Sequence, residues 1–181
     1  MTSDTILGYV LLGLLHQEPR SGYDLRKIFT STPFSHFSDS PGAVYPALAR
    51  LRRRGWVTAS APTGGRRKRL FRLTATGRKA WLAWLRQPPT GTDVIRGMDH
   101  LFVRFAFMGE ALPAEVVVRF LDTLAREIDE HVEDLRQFRR EAAAGMSITG
   151  RLAYDAGVES YETHAAWARR ARAIIMQGGE S

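Results

Sequence analysis

Ser40-Pro41-Gly42-Ala43-Val44-Tyr45-Pro46-Ala47-Leu48-Ala49-Arg50-Leu51-Arg52-Arg53-Arg54-Gly55 is the stretch on which the fold turns. Ser40 and Pro41 make an N-cap and first-turn pair: a serine hydroxyl accepts from a first-turn N–H, and the fixed φ of proline suits a position with no bond to donate. Gly55 supplies the stop. Between them Val44, Leu48 and Leu51 recur at helical spacing and predict a buried stripe. Ala43, Ala47, Arg50 and Arg54 are expected on the opposite face. A short helix with an apolar back and an arginine-bearing front suits the major groove of DNA, with Tyr45 and Arg50 as direct contacts. Arg52, Arg53 and Arg54 crowd its C-terminal end, where they also answer the helix dipole, so a solvated capping role stays open for those three.

Upstream, Ile6, Tyr9, Val10, Gly13 and Leu14 fall at helical spacing, and Glu18-Pro19 ends that segment. Ser21-Gly22 caps a second helix, Tyr23 to Phe29, with Leu25 and Ile28 inward. Residues 30–40, rich in Ser and Thr, read as a loop. Downstream, Trp56 to Ser60 and Arg67 to Thr74 read as two short strands around the turn Pro62-Thr63-Gly64-Gly65. The returning side carries Arg66-Arg67-Lys68-Arg69 in one block. Four adjacent cations repel one another, which an anionic partner relieves; a solvated charge run is the bland alternative. Thr74-Ala75-Thr76-Gly77 then leads into a helix with Trp81, Leu82, Trp84 and Leu85. Helix, helix, loop, helix and basic hairpin is the layout of a winged helix-turn-helix.

Charge resolves the rest of the chain. Of 181 residues, 26 are Lys or Arg and 19 are Asp or Glu, a net charge of +7. Residues 1–90 hold fifteen cations against four anions, and residues 91–181 hold eleven against fifteen, so the halves carry +11 and −4. One half therefore faces a polyanion, nucleic acid before a membrane surface, and the other does something else. The sign changes at Pro88-Pro89-Thr90-Gly91-Thr92, where two prolines forbid a continuing helix. The expected domains are 1–89, DNA-binding, and 93–181, helical. The longest apolar run, Ile6 to Leu15, is far short of a membrane span, and no signal-peptide pattern surrounds it, so a cytoplasmic protein is expected. The absence of cysteine excludes disulfides, thiolate metal sites and a cysteine nucleophile. No phosphate loop, zinc-protease motif or nucleophile elbow occurs, so no enzyme, cofactor or metal is expected.

The second half reads as a mainly helical dimer-forming domain, with helices near Val94–Met108, Pro113–Ala144 and Ile148–Met176. On the first, Leu101, Phe102 and Phe105 face inward. On the second, Val117, Leu121, Leu124, Ile128, His131, Leu135 and Phe138 alternate in steps of four and three, a heptad seam that asks for a helical partner. Tyr154, Val158 and Tyr161 on the last helix offer the complementary stripe, within one chain or between two, and a homodimer is expected. His131 with Glu127 invites a metal or pH-sensing reading, but no second histidine stands at ligand spacing, and a polar residue setting register is the simpler account. Phe102, Phe105, His164 and Trp167 are the candidate lining of a pocket for a small aromatic effector, with plain core as the alternative.

Ser21-Gly22-Tyr23-Asp24-Leu25 and Gly42-Ala43-Val44-Tyr45-Pro46-Ala47-Leu48-Ala49-Arg50-Leu51 resemble the PadR family of bacterial transcriptional regulators. Arg53-Arg54-Gly55-Trp56-Val57 and Arg72-Leu73-Thr74-Ala75-Thr76-Gly77-Arg78 are similar to the family's wing and following helix, and the likeness runs over about residues 6–85. The second half resembles the multi-helix C-terminal domain of the longer members only in length and helicity. The resemblance implies a homodimeric regulator, a repressor in the first instance, whose paired winged helices bind an inverted-repeat operator in double-stranded DNA. It places Tyr23 and Tyr45 against the DNA backbone beside Arg50, Arg66, Arg67 and Lys68, and draws in Ser21, Ser40, Gly42, Ala43 and Arg69. One departure matters: where many members have Ser or Thr, Ala43 offers no hydroxyl, which shifts the burden to Tyr45, Arg50 and DNA shape. The competing class is a protein-interaction adaptor whose basic domain holds nucleic acid without sequence preference.

Overall fold

The computed structural model describes residues 6–31, 41–61, 69–142 and 145–178. The chain divides into two compact units, Met1–Leu85 and Arg86–Ser181.

The first unit is built around α1 (Ile6–Gln17), which buries Leu7, Val10, Leu11, Leu12, Leu14 and Leu15. A helix apolar on nearly every side belongs in the middle of a core, and α1 packs against α3 (Val44–Arg53), α4 (Ala75–Leu85) and β3 (Leu70–Leu73). Gly8 lets the Leu51 side chain close on it, with Cδ2 3.8 Å from where a Cβ would stand. Ser21 caps α2 (Gly22–Ser31): its Oγ accepts from the Asp24 N–H at 3.2 Å and donates to Asp24 Oδ2 at 2.7 Å. On α2, Leu25 and Phe29 are buried while Ile28 is half-buried.

The wing comprises β2 (Val57–Ala59) and β3, antiparallel with Val57 opposite Leu73 and Ala59 opposite Phe71. A third strand, β1 (Arg20–Ser21), pairs with the other edge of β3, giving the order β1-β3-β2. Two strands were expected; the two-residue β1 is too short to leave a period in sequence. The turn at Pro62–Gly65 lies outside the described residues, as does Ser40.

α3 is preceded by a 3-10 turn, Pro41–Ala43, and ends as expected at Gly55, which has φ 70°. The Trp56 N–H donates to Leu51 O at 3.0 Å and the Gly55 N–H to Arg52 O at 2.9 Å, the paired bonds of a Schellman motif. Here one expectation is corrected. Ala47, placed by sequence on the outer face, is 1% exposed and belongs with Val44, Leu48 and Leu51 in the core. It lies one turn from both Val44 and Leu51, and its small side chain lets the backbones approach.

Thr74 joins wing to α4. Its hydroxyl donates to Gly55 O at 2.7 Å and accepts from the Gly77 N–H at 3.0 Å. A Cβ on Gly77 would lie 2.1 Å from Trp56 O, so only glycine lets α4 start beneath Trp56.

The second unit has α5 (Gly91–Ala106), α6 (Ala114–Ala142) and α7 (Ile148–Gly178). α5 begins three residues before the expected Val94, because Thr90 and Asp93 form a reciprocal capping box, Asp93 N to Thr90 Oγ1 at 3.3 Å and Thr90 N to Asp93 Oδ2 at 3.0 Å. Its helical geometry breaks at Gly97 (φ −147°, ψ 29°). α6 and α7 pack side by side over most of their length, tied by Arg136 to Glu162 at 2.7 Å, Arg172 to Asp122 at 2.6 Å and Arg169 to Asp129. Arg139 clamps Asp155 through two bonds of 2.9 and 3.1 Å, and this guanidinium holds the Asp155 carboxyl below the usual range. None of the described helices is long and apolar enough to cross a membrane.

Candidate nucleic-acid interface

α3 turns four residues, Val44, Ala47, Leu48 and Leu51, into the first unit's core and the rest outward. With successive residues about 100° apart, Tyr45 and Arg52 fall on one flank of the outer face. Arg50 falls on the other flank, about 140° from Tyr45. Arg53 and Ala49 lie between the flanks, pointing away from the core. Of the three arginines for which a capping role stays open, Arg53 is one of the α3 residues aimed most directly outward. Arg54 differs from its neighbours: its guanidinium stacks over the Trp56 ring at 5.1 Å, which anchors the end of α3.

Among the described residues, Arg50, Arg52 and Arg53 are exposed and have no hydrogen-bond or ion-pair partner. The reason is a shortage of anions. Of the described residues in this unit only Glu18 and Asp24 are acidic. Glu18 pairs with Arg20 at 2.9 Å, and Asp24 is held by the Ser21 cap. A cationic helix face with no internal counter-ion attracts external anions, and a phosphate backbone supplies them in a row.

Two tyrosines flank this face. Tyr23, on the first turn of α2, is 63% exposed, and Tyr45 is 50% exposed. The Tyr45 ring lies over Gly22, where a Cβ would meet Cε1 at 2.6 Å. Sequence reasoning treated Gly22 only as part of a cap; the single signal available was glycine at the first helical position. Of the other expected contacts, Gly42 is exposed and Ala43 half-buried. Ser21 is 2% exposed, and its hydroxyl is used within the fold to cap α2. Arg69 is exposed at the base of the wing, and Arg66, Arg67 and Lys68 lie outside the described residues. Arg72, absent from the expected set, is exposed on β3 opposite Thr58.

The second unit places the remaining candidates. Val117, Leu121, Leu124 and Ile128 are 0–3% exposed. Packing within this unit, chiefly against α7, covers them, so here the seam is closed within one chain. His131 meets the Tyr161 ring edge-on at 4.8 Å, and the Tyr154 hydroxyl donates to Leu135 O at 2.8 Å. Val158 is half-buried. Phe138 is 53% exposed, and Ile148 and Leu152, each 61% exposed, are further apolar side chains left uncovered. At the far end of α7, Ile174 and Met176 are exposed as well.

The proposed effector residues come together, but chiefly with one another. Phe102 packs edge-on to His164 at 5.2 Å and to Trp167 at 4.9 Å, and Phe105 packs on Trp167 at 5.1 Å. Of these four, His164 lines a cleft of about 400 Å³ beside the Gly97 break, with Val94, Met98, Ser160 and Tyr161. Its Nδ1 is buried without a hydrogen-bond partner.

Residues 11–83 match the family described as the transcriptional regulator PadR-like family. Over 82 residues the chain is 30% identical to the negative transcriptional regulator PadR of Bacillus subtilis (strain 168). That match takes in 44% of this chain and 45% of the regulator, so it spans less than half of the relative's length. Among solved structures, the PadR-like transcriptional regulator BC1756 of Bacillus cereus is 23% identical with a TM-score of 0.42, covering 95% of this chain and 99% of that one. Bacillus subtilis PadR in complex with operator DNA is 21% identical with a TM-score of 0.45, covering 94% and 99%. The same regulator in complex with p-coumaric acid is 20% identical with a TM-score of 0.40, covering 94% and 95%. The likeness to the transcriptional regulator PadR-like family is carried by residues 11–83, the segment that holds α3 and the wing.

Proposed function

We propose that the chain is a sequence-specific DNA-binding transcriptional regulator, a repressor that holds an inverted-repeat operator as a homodimer. The observation that carries this is the outer face of α3, where Arg50, Arg52 and Arg53 have no internal counter-ion. α3 enters the major groove, Tyr23 and Tyr45 meet the backbone, and Arg66 to Arg69 reach phosphates beside the docked helix. Residues 1–89 form the DNA-binding domain and 93–181 the helical domain. Homodimerisation uses the apolar surface left over by the α6–α7 packing, with Phe138, Ile148 and Leu152 in it. A small aromatic effector releases the operator, and the unpartnered His164 nitrogen beside an open cleft supports a site for it in the helical domain.

The deciding experiment is a fluorescence-anisotropy titration against the DNA upstream of the protein's own gene and against unrelated DNA of equal length, at fixed physiological salt. A regulator binds its operator on the order of 10³-fold or more above the unrelated DNA. Equal, weak binding of both, with dissociation constants of roughly 10⁻⁴–10⁻⁶ M, would favour the adaptor reading.

A further inference from the structure

Gly22 is the first residue of α2, yet it is buried, and the Tyr45 ring from α3 covers it. A Cβ built on Gly22 would stand 2.6 Å from Tyr45 Cε1, 3.2 Å from Cζ and 3.4 Å from Cδ1. The first distance is closer than carbon atoms approach, so any side chain at position 22 must move the ring. Backbone conformation does not demand glycine there, since Gly55 is the described glycine with a positive φ. Alanine would in fact suit a helical first turn better. The remaining reason for glycine is the tyrosine.

What the ring does in that seat is open to solvent. Tyr45 is half exposed, and its hydroxyl has no partner among the described residues. Tyr23, one residue beyond Gly22, is exposed and unpartnered in the same way. A tyrosine fixed through its ring with a free hydroxyl is preorganised to donate to an anion, because the rotamer freedom is given up before binding. We propose that Gly22 is a positioning residue: it seats the Tyr45 ring against the start of α2 so that the hydroxyl is held ready for a DNA phosphate. This rests on the DNA-binding reading of α3 and adds to it a residue that itself touches no DNA.

The test is a double-mutant cycle on the full-length protein with Gly22→Ala and Tyr45→Ala, read by anisotropy on the operator and by thermal melting, with Tyr45→Phe alongside. Gly22→Ala is expected to weaken operator binding about tenfold, the scale of one hydrogen bond to a charged group. Its melting temperature should hardly move, because a half-exposed ring can swing outward. Tyr45→Phe keeps the seat and loses the hydroxyl, so it should show the same loss. In the Tyr45→Ala background, Gly22→Ala should have no further effect on binding. Wild-type binding by either Gly22→Ala or Tyr45→Phe overturns the proposal, as does a Gly22→Ala loss that persists undiminished without the Tyr45 ring. Should Gly22→Ala fail to fold, Tyr45→Phe decides alone. Failure of the wild-type protein to distinguish operator from unrelated DNA is a separate result and removes the DNA-binding reading itself.

Discussion

Replacing Arg104 with methionine should stabilise the second unit. Arg104 on α5 is 5% exposed, and neither its Nε nor its Nη2 has a hydrogen-bond partner. Desolvation by burial lowers its pKa, and the attraction of Asp93 opposes that shift. Two unsatisfied polar groups cost about 1–3 kcal/mol each. Against that stands one favourable contact, the guanidinium 5.0 Å from the Phe120 ring, worth about 2 kcal/mol when desolvated. The balance is an unfavourable term of about 0–4 kcal/mol. Methionine fills much of the same volume, carries no charge and packs well on an aromatic ring. Arg104→Met should therefore raise the melting temperature of the second unit by about 4–8 °C per kcal/mol recovered. Differential scanning calorimetry is the assay, because two compact units can melt in separate transitions, and Trp167 gives the second unit a fluorescence reporter of its own. A loss of more than about 1 kcal/mol in Arg104→Met would refute the reasoning, since it would mean that the native assembly gives this guanidinium an anionic partner.

Three further outcomes follow from local geometry. Arg53→Ala should weaken operator binding at least as much as Arg50→Ala, and whichever of them reads a base should cost about 1–3 kcal/mol more on operator than on random DNA; equal effects on both DNAs, measured by anisotropy, would reduce them to phosphate contacts. Gly77→Ala, which sets a Cβ 2.1 Å from Trp56 O, should destabilise the first unit by about 3 kcal/mol in a urea melt, and a wild-type midpoint would show that α4 shifts freely. Asp155→Asn should lower the melting temperature near pH 7 but not at strongly acid pH: the folded carboxyl is held below its unfolded value by Arg139, so its contribution is present above the ordinary aspartate range and disappears as pH falls through the folded value. A gap between the two proteins that does not narrow with acid would count against that linkage.

Much of the first unit was legible because its signals are chemical punctuation. Glu18-Pro19, Gly55 and Thr74 each stop or start an element by a backbone requirement that tertiary packing cannot override. Elements without such marks escaped. β1 has two residues, too few for alternation to register, and is held by its neighbour β3. Thr90 sits inside the Pro88–Thr92 breaker, where two prolines signal a boundary and mask the Thr90–Asp93 box that opens α5 there. Ala47 was misplaced for a different reason: alanine is at home on either face of a helix, so periodicity assigns it only by its neighbours. The Gly97 break in α5 had no signal beyond a glycine in an otherwise regular pattern.

The candidate site was legible as charge but not as direction. A count along the chain located the cations in the first half, yet it could not say which arginine on α3 faces outward. That depends on the phase of the helix: opposite the buried Val44, Ala47, Leu48 and Leu51, the outward axis lies within about 10° of Arg53, while Arg50 stands on a flank, about 70° away. The heptad seam of α6 shows the same limit in another form. A run of a and d residues states that a helix must cover it, and it states nothing about whose helix. Here α7 of the same chain meets that demand through its small residues Ala165 and Ala168, which are 0–1% exposed, and through a row of ion pairs. In the proposed homodimer a second copy would recognise what the hairpin leaves uncovered, so substitutions at Phe138, Ile148 and Leu152 should lower the dimer fraction in light scattering, while those at Leu121 or Leu124 should lower the melting temperature.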